Sequence, residues 1–127
     1  MTATTETIRD IHGVRVLFCA TDGARLAGER DVNDVLSAAW SADAAMIAIP
    51  VQRLDPVFFR LSTRVAGEML QKFVNYQLRA AIVGDVSAWT TQSEALRDFI
   101  YEANRGSSAW FVNDIDELER RLARTKR

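Results

Sequence analysis

The stretch from Leu54 to Asp85, LDPVFFRLSTRVAGEMLQKFVNYQLRAAIVGD, constrains the fold more than any other. Apolar residues recur at helical spacing, with Leu61, Val65, Met69 and Phe73 in one row and Ala66, Leu70 and Val74 in the next. At 100° per residue these rows cover an arc of about 220°, wider than the ~100° stripe that one packed face requires. Arg60, Arg64, Glu68, Gln71, Lys72 and Asn75 occupy the opposite side, with Arg64–Glu68 and Glu68–Lys72 spaced for i,i+4 ion pairs. Such a helix packs on a sheet and on a second body, either another helix or another subunit. Asp55–Pro56 has cap-and-first-residue chemistry, and Ser62–Thr63 offers a second cap. Both hydroxyls would fall inside the apolar arc of a continuous helix. The economical reading is a short turn at Pro56–Phe59 and a helix from about Thr63 to Tyr76. LRAAIVGD then reads as a buried strand ended by Gly84–Asp85.

Upstream, Thr7–Ile11 and Val14–Ala20 flank His12–Gly13 as a hairpin, and Thr21–Asp22–Gly23 turns the chain. Val32, Val35, Leu36 and Ala39 share a face, which predicts a helix from Asp31 to Ser41 with Arg30 or Asp31 near its start. Ala44–Ile49 is a short buried strand before Pro50. Downstream, VSAWTTQ reads as a loop, and Thr91 to Glu94 has capping-box spacing. Ala95, Leu96, Phe99, Ile100 and Ala103 form a helical face stopped by Gly106, and Ser108–Val112 is a last strand. Asn113 caps a terminal helix bearing Ile115, Leu118 and Leu122, with positive charge from Arg120 to Arg127 near its C-terminus. Met1 to Thr5 is expected to fray. The predicted fold is α/β: one mixed, mostly parallel sheet of about five strands, covered by about four helices, in a single domain over 1–127 with its core at about 8–122.

The runs LSTRVAGEMLQKFVNY, AIVGD and LRDFIYEANRG resemble the domain-of-unknown-function 4180 family. The resemblance extends from about Ile8 to Leu122. One position departs from it: Arg60 stands where the family usually has an acid after its Phe pair. The resemblance implies no established activity. The order of elements is also similar to that of the STAS-type modules of anti-sigma-factor antagonists, a likeness of topology rather than of motif.

Composition excludes several function classes. A net charge of −1 argues against a general nucleic-acid binder. No apolar run approaches the ~20 residues of a membrane span, and MTATTETIRD lacks a signal-peptide core. A lone cysteine, Cys19, makes no internal disulfide, so the expected location is cytoplasmic. Neither a dinucleotide fingerprint nor a Walker pattern can be written, and no cofactor or metal is expected.

Each residue able to carry chemistry also has a structural reading. His12 is best taken as a turn residue and Cys19 as a small buried hydrophobe. Ser62 and Thr63 read first as caps; the functional alternative is an anion or small ligand held at the helix start. By analogy with STAS modules, Ser62 is also a possible phosphoacceptor, although Leu-Ser-Thr is not the Asp-Ser that the analogy would want. Asp85 and Ser87, at the carboxyl end of a central strand, would lie near Ser62, with Trp89 covering the site or anchoring its loop. Phe58, Phe59, Arg64 and Glu68 are the interface candidates. Two functions follow. The favoured one is a non-catalytic regulatory or protein-interaction module, expected to form a homodimer, with another protein as a second candidate partner. The alternative is a small-molecule-binding protein or enzyme with a pocket among Ser62, Thr63, Asp85, Ser87 and Trp89.

Overall fold

The computed structural model describes residues 7–22 and 25–125. The expected fraying of 1–5 lies outside them, as does Gly23 of the expected turn. Five strands lie side by side in chain order. They are β1 (Thr7–Ile11), β2 (Val14–Phe18), β3 (Met46–Pro50), β4 (Arg79–Val83) and β5 (Ala109–Val112). β1 and β2 pair antiparallel, and the remaining pairs are parallel. The hairpin turn puts His12 at φ 50° and Gly13 at φ 85°, the two positive values that a tight two-residue connection requires.

The parallel strands are joined by α1 (Glu29–Ser41), α2 (Val65–Asn75), and α3 (Ser87–Thr90) with α4 (Glu94–Arg105); α5 (Ile115–Thr125) closes the chain. Successive crossovers that run the same way across a sheet with the usual hand all return over the same face. Accordingly, α1, α2 and α4 share a core with one face of the sheet, through Leu17, Ile47, Ile49, Ala80, Ile82 and Phe111. Leu118 and Leu122 of α5 pack on the other face, through Val16, Met46, Ala48, Ala81, Trp110 and Val112. This alternation is the strand period of two expressed in three dimensions. Among the described residues, no helix is long and apolar enough to cross a membrane.

The central helix is shorter than its apolar pattern. A 3-10 turn at Pro56–Phe59 is followed by another at Leu61–Thr63, and Arg64 then adopts φ 67° before α2 begins at Val65. That left-handed residue breaks the helical phase, so Leu61 is not on the helix and the 220° arc does not form. Ala66, Met69, Leu70 and Phe73 make one buried face, whereas Val74 is 42% exposed. The expected Arg64–Glu68 and Glu68–Lys72 ion pairs are not formed. Instead, Lys72 reaches across to Glu29 of α1 at 3.2 Å, tying the two helices together.

Other ends are also corrected. Glu29, not Asp31, opens α1, and the Asp31 carboxylate accepts from the amides of Ala27 and Gly28. Ser93, not Thr91, caps α4 by accepting from Leu96 N–H. Asp114, not Asn113, accepts from Glu117 N–H at the start of α5. The expected loop after β4 contains the one-turn helix α3. Gly106 ends α4 in an extended conformation rather than a left-handed one. Both α1 and α2 close with paired backbone bonds. Asp43 and Ala44 donate to Trp40 and Ala39, and Gln77 and Leu78 donate to Val74 and Phe73. Asp43 (φ 57°) and Gln77 (φ 62°) therefore occupy the left-handed position that glycine usually fills.

Candidate functional site

In a parallel sheet the crevice outside the carboxyl ends of the strands is the natural ligand site, at the point where neighbouring connections leave toward opposite faces. Here that point lies between β4 and β5: the chain after β4 enters the three-helix layer, and the chain after β5 enters α5. Gly84 forms the ridge. Its φ of 140° suits glycine, and a Cβ there would stand 2.8 Å from Val51 Cγ2. A depression lies on each side of the ridge, each of about 420 Å3. The one on the helix-layer side is bounded by Arg25, Gln52, Pro56, Asp85 and Trp89. The one on the α5 side is bounded by Phe18, Pro50, Val83 and Ile115, with Arg9 and Gln52 at its rim.

Asp85 and Trp89 thus reach the carboxyl edge, in roles that their loop explains. Asp85 Oδ1 accepts from Ser87 N–H at 2.9 Å and so organises the turn into α3. Hydrogen bonds from the backbone and hydroxyl of Ser87 hold the Asp85 carboxyl below its ordinary range. Trp89 stacks on Phe59, with centroids 4.1 Å apart and planes 15° apart, and Phe59 meets Phe58 edge-on at 5.0 Å. Phe58 continues this aromatic chain to Phe111 at 6.4 Å. The two phenylalanines are 0% and 3% exposed, so they serve the internal core and not an interface. Two rings are needed there because they bridge the loop to β5 beneath the start of α2.

Ser62 and Thr63 line neither depression. The Thr63 hydroxyl lies 2.9 Å from Val57 O and 2.7 Å from Arg60 O, which share its single proton, and accepts from Val65 N–H at 3.3 Å. It ties both 3-10 turns to α2, so it acts as a cap for a kinked entry. Ser62, Arg60 and Arg64 are exposed. Glu68 faces a groove of about 270 Å3 between α1 and α2, beside Gly28, Val32 and Met69. The structure therefore does not gather Ser62, Thr63, Asp85, Ser87 and Trp89 into one pocket. His12 sits at the amino edge, the far end of β2 from the crevice. Among the described residues, no group of three His, Cys, Asp or Glu side chains is placed to hold a metal.

Two features went unread in the sequence. Arg53 is buried, and its Nη1 donates to Ala20 O at 2.9 Å, locking the chain after β2 to the turn after β3. An arginine in a loop carries no sequence signal for this role. The second is an aromatic patch where α1 and α2 end. Trp40 is 77% exposed, next to a groove of about 440 Å3 whose other walls are Asn33, Leu36, Ser37, Ser41 and Tyr76. Here a signal existed: Trp40 falls about 40° past Leu36 on the helical wheel, just off the buried face.

These features define a class: an α/β domain whose described residues form a singly wound mixed sheet, with the crossover helices α1, α2, α3 and α4 on one face and α5 on the other. A family model described as Domain of unknown function (DUF4180) matches residues 11–122, and the chain belongs to that family. Comparison with curated proteins found no match, and comparison with solved structures found none.

Proposed function

We propose that this domain is a non-catalytic interaction module of the cytoplasm that pairs with a second copy of itself through Trp40 and Tyr76. The observation that carries the reading is the exposed Trp40 ring standing beside a groove with no charged wall. Large exposed rings in an uncharged setting are the residues that anchor interfaces. In a two-fold arrangement each Trp40 can enter the groove beside the other copy's Trp40, in a register that keeps apart the two exposed Asp43 carboxylates, which line the adjoining hollow. Such a self-complementary contact needs no second protein. The proposal keeps the dimer expected from the sequence and moves its interface from Phe58–Phe59 to the C-terminal ends of α1 and α2.

Sedimentation equilibrium tests it. The protein should be dimeric at tens of micromolar, with a melting temperature that rises with concentration, and Trp40→Ala should be folded and monomeric, with a melting temperature that does not. A monomeric wild-type protein, or a Trp40→Ala protein that associates as well as wild type, would refute it.

A further inference from the structure

The α5-side depression at the carboxyl edge has no place in that pairing. It opens on the opposite face of the sheet and at the opposite strand ends from Trp40. Its existence follows from the winding of the chain. Among the described residues, the connections after β2, β3 and β4 leave toward the three-helix layer and lend only Cys19, Thr21, Gln52 and Gly84 to the border of the depression. α5 starts there at Ile115 and buries Leu118 and Leu122 further along the sheet. Phe18 and Val83 consequently remain half-buried.

The lining chemistry narrows what could enter. Phe18, Ala48, Pro50, Val83 and Ile115 make apolar walls, and neutral Gln52, Thr7 and Thr21 supply hydrogen-bonding groups. Arg9 is the charged residue among those bounding the cavity. Its guanidinium is already matched by Glu119 at 2.7 Å and lies over the Phe18 ring at 5.3 Å. An anionic ligand would therefore compete with Glu119 for the available cation. A ligand without charge gains the apolar walls and displaces no ion pair. The volume of about 420 Å3 lies within the ~300–1,000 Å3 of small-molecule sites. Gly84 lets the β4 end run close to Val51 along this wall, where a side chain would collide with Val51. We propose that this cavity binds a small, uncharged, largely apolar compound able to hydrogen-bond to its neutral polar rim.

The test uses the full-length protein and N-phenyl-1-naphthylamine, a neutral probe that fluoresces in apolar surroundings. Saturable binding is expected, with amide NMR shifts centred on Ala48, Val83, Gly84 and Ile115. Ala48→Leu, which extends a side chain into the cavity, should weaken binding at least tenfold. Ile115→Ala, at an exposed position that leaves the core intact, should weaken it severalfold and keeps the test decisive if the first variant fails to fold. The anionic analogue 8-anilinonaphthalene-1-sulfonate should bind at least tenfold more weakly. The proposal is overturned if no saturable binding occurs up to the solubility limit of the probe, or if the shifts centre on Trp40 and Tyr76. It also fails if every folded variant binds like wild type, or if the sulfonate binds as tightly as the neutral probe.

Discussion

Replacing Gly84 with alanine should be the most damaging single-methyl change at the carboxyl edge. The added Cβ would lie 2.8 Å from Val51 Cγ2 and 2.9 Å from Val51 Cβ, and the backbone would have to keep φ 140° with a side chain attached. A residue held in a glycine-type conformation costs about 1–3 kcal/mol. Overpacking a buried contact costs about 1–3 kcal/mol more. The expected loss is thus roughly 2–6 kcal/mol, against a total stability of about 5–15 kcal/mol for a domain of this kind. Urea denaturation should show a lower midpoint with an unchanged slope. The two causes separate in a double-mutant cycle. Val51→Ala removes Cγ2 but leaves the Cβ contact, so it should rescue Gly84→Ala only in part. Val51→Gly removes both contacts, and in that background Gly84→Ala should cost only the conformational ~1–3 kcal/mol. A Gly84→Ala protein within 1 kcal/mol of wild type would refute the reasoning, because the β4 end would then have room to relax away from Val51.

Gln77→Gly should stabilise the protein by about 0.5–1 kcal/mol in the same assay, since Gln77 holds φ 62° at the end of α2 with a side chain that prefers otherwise. Thr63→Ala should cost about 0.5–2 kcal/mol by freeing the two 3-10 turns from α2, whereas exposed Ser62→Ala should stay within 0.5 kcal/mol; thermal melts of both variants check the contrast. Backbone N–H groups of Ala27 and Gly28 hold the Asp31 carboxyl below its ordinary value of 3.8. Its stabilising contribution is therefore complete above that value and is lost as pH falls through the lower folded value. Asp31→Asn should flatten the fall of melting temperature below about pH 4, and an acid limb with the same slope as wild type would contradict this.

The elements were legible where periodicity ran unbroken. β3 and β4 read as continuous apolar runs because both of their faces are buried, and the hairpin read from His12–Gly13 between two short strands. Legibility failed where one residue's dihedral angle decided the outcome. Arg64 at φ 67° interrupts a pattern that looks continuous in sequence, so a wide apolar arc was inferred for a helix with one buried face. Caps slid by one or two positions at Thr91–Ser93 and Asn113–Asp114, because neighbouring residues have equal capping chemistry and tertiary packing chooses between them. Strand order puts Asp85 and Trp89 at the carboxyl edge, but the expected pocket that would join them to Ser62 and Thr63 does not form. The winding that opens the cavity by Phe18 and Val83 depends on which face α5 takes, and no local pattern encodes that choice. Phe58 and Phe59 misled because a sequence does not distinguish rings that bridge a loop to its own sheet from rings that await a partner.

The central claim is the pairing through Trp40, and isotope-filtered NMR on a mixture of labelled and unlabelled protein tests it most directly. At a concentration where the protein is associated, contacts between copies should run from the Trp40 indole to Leu36 and Tyr76 of the other copy. Cross-copy contacts that omit Trp40, or none at all in a sample that sediments as a monomer, would contradict it.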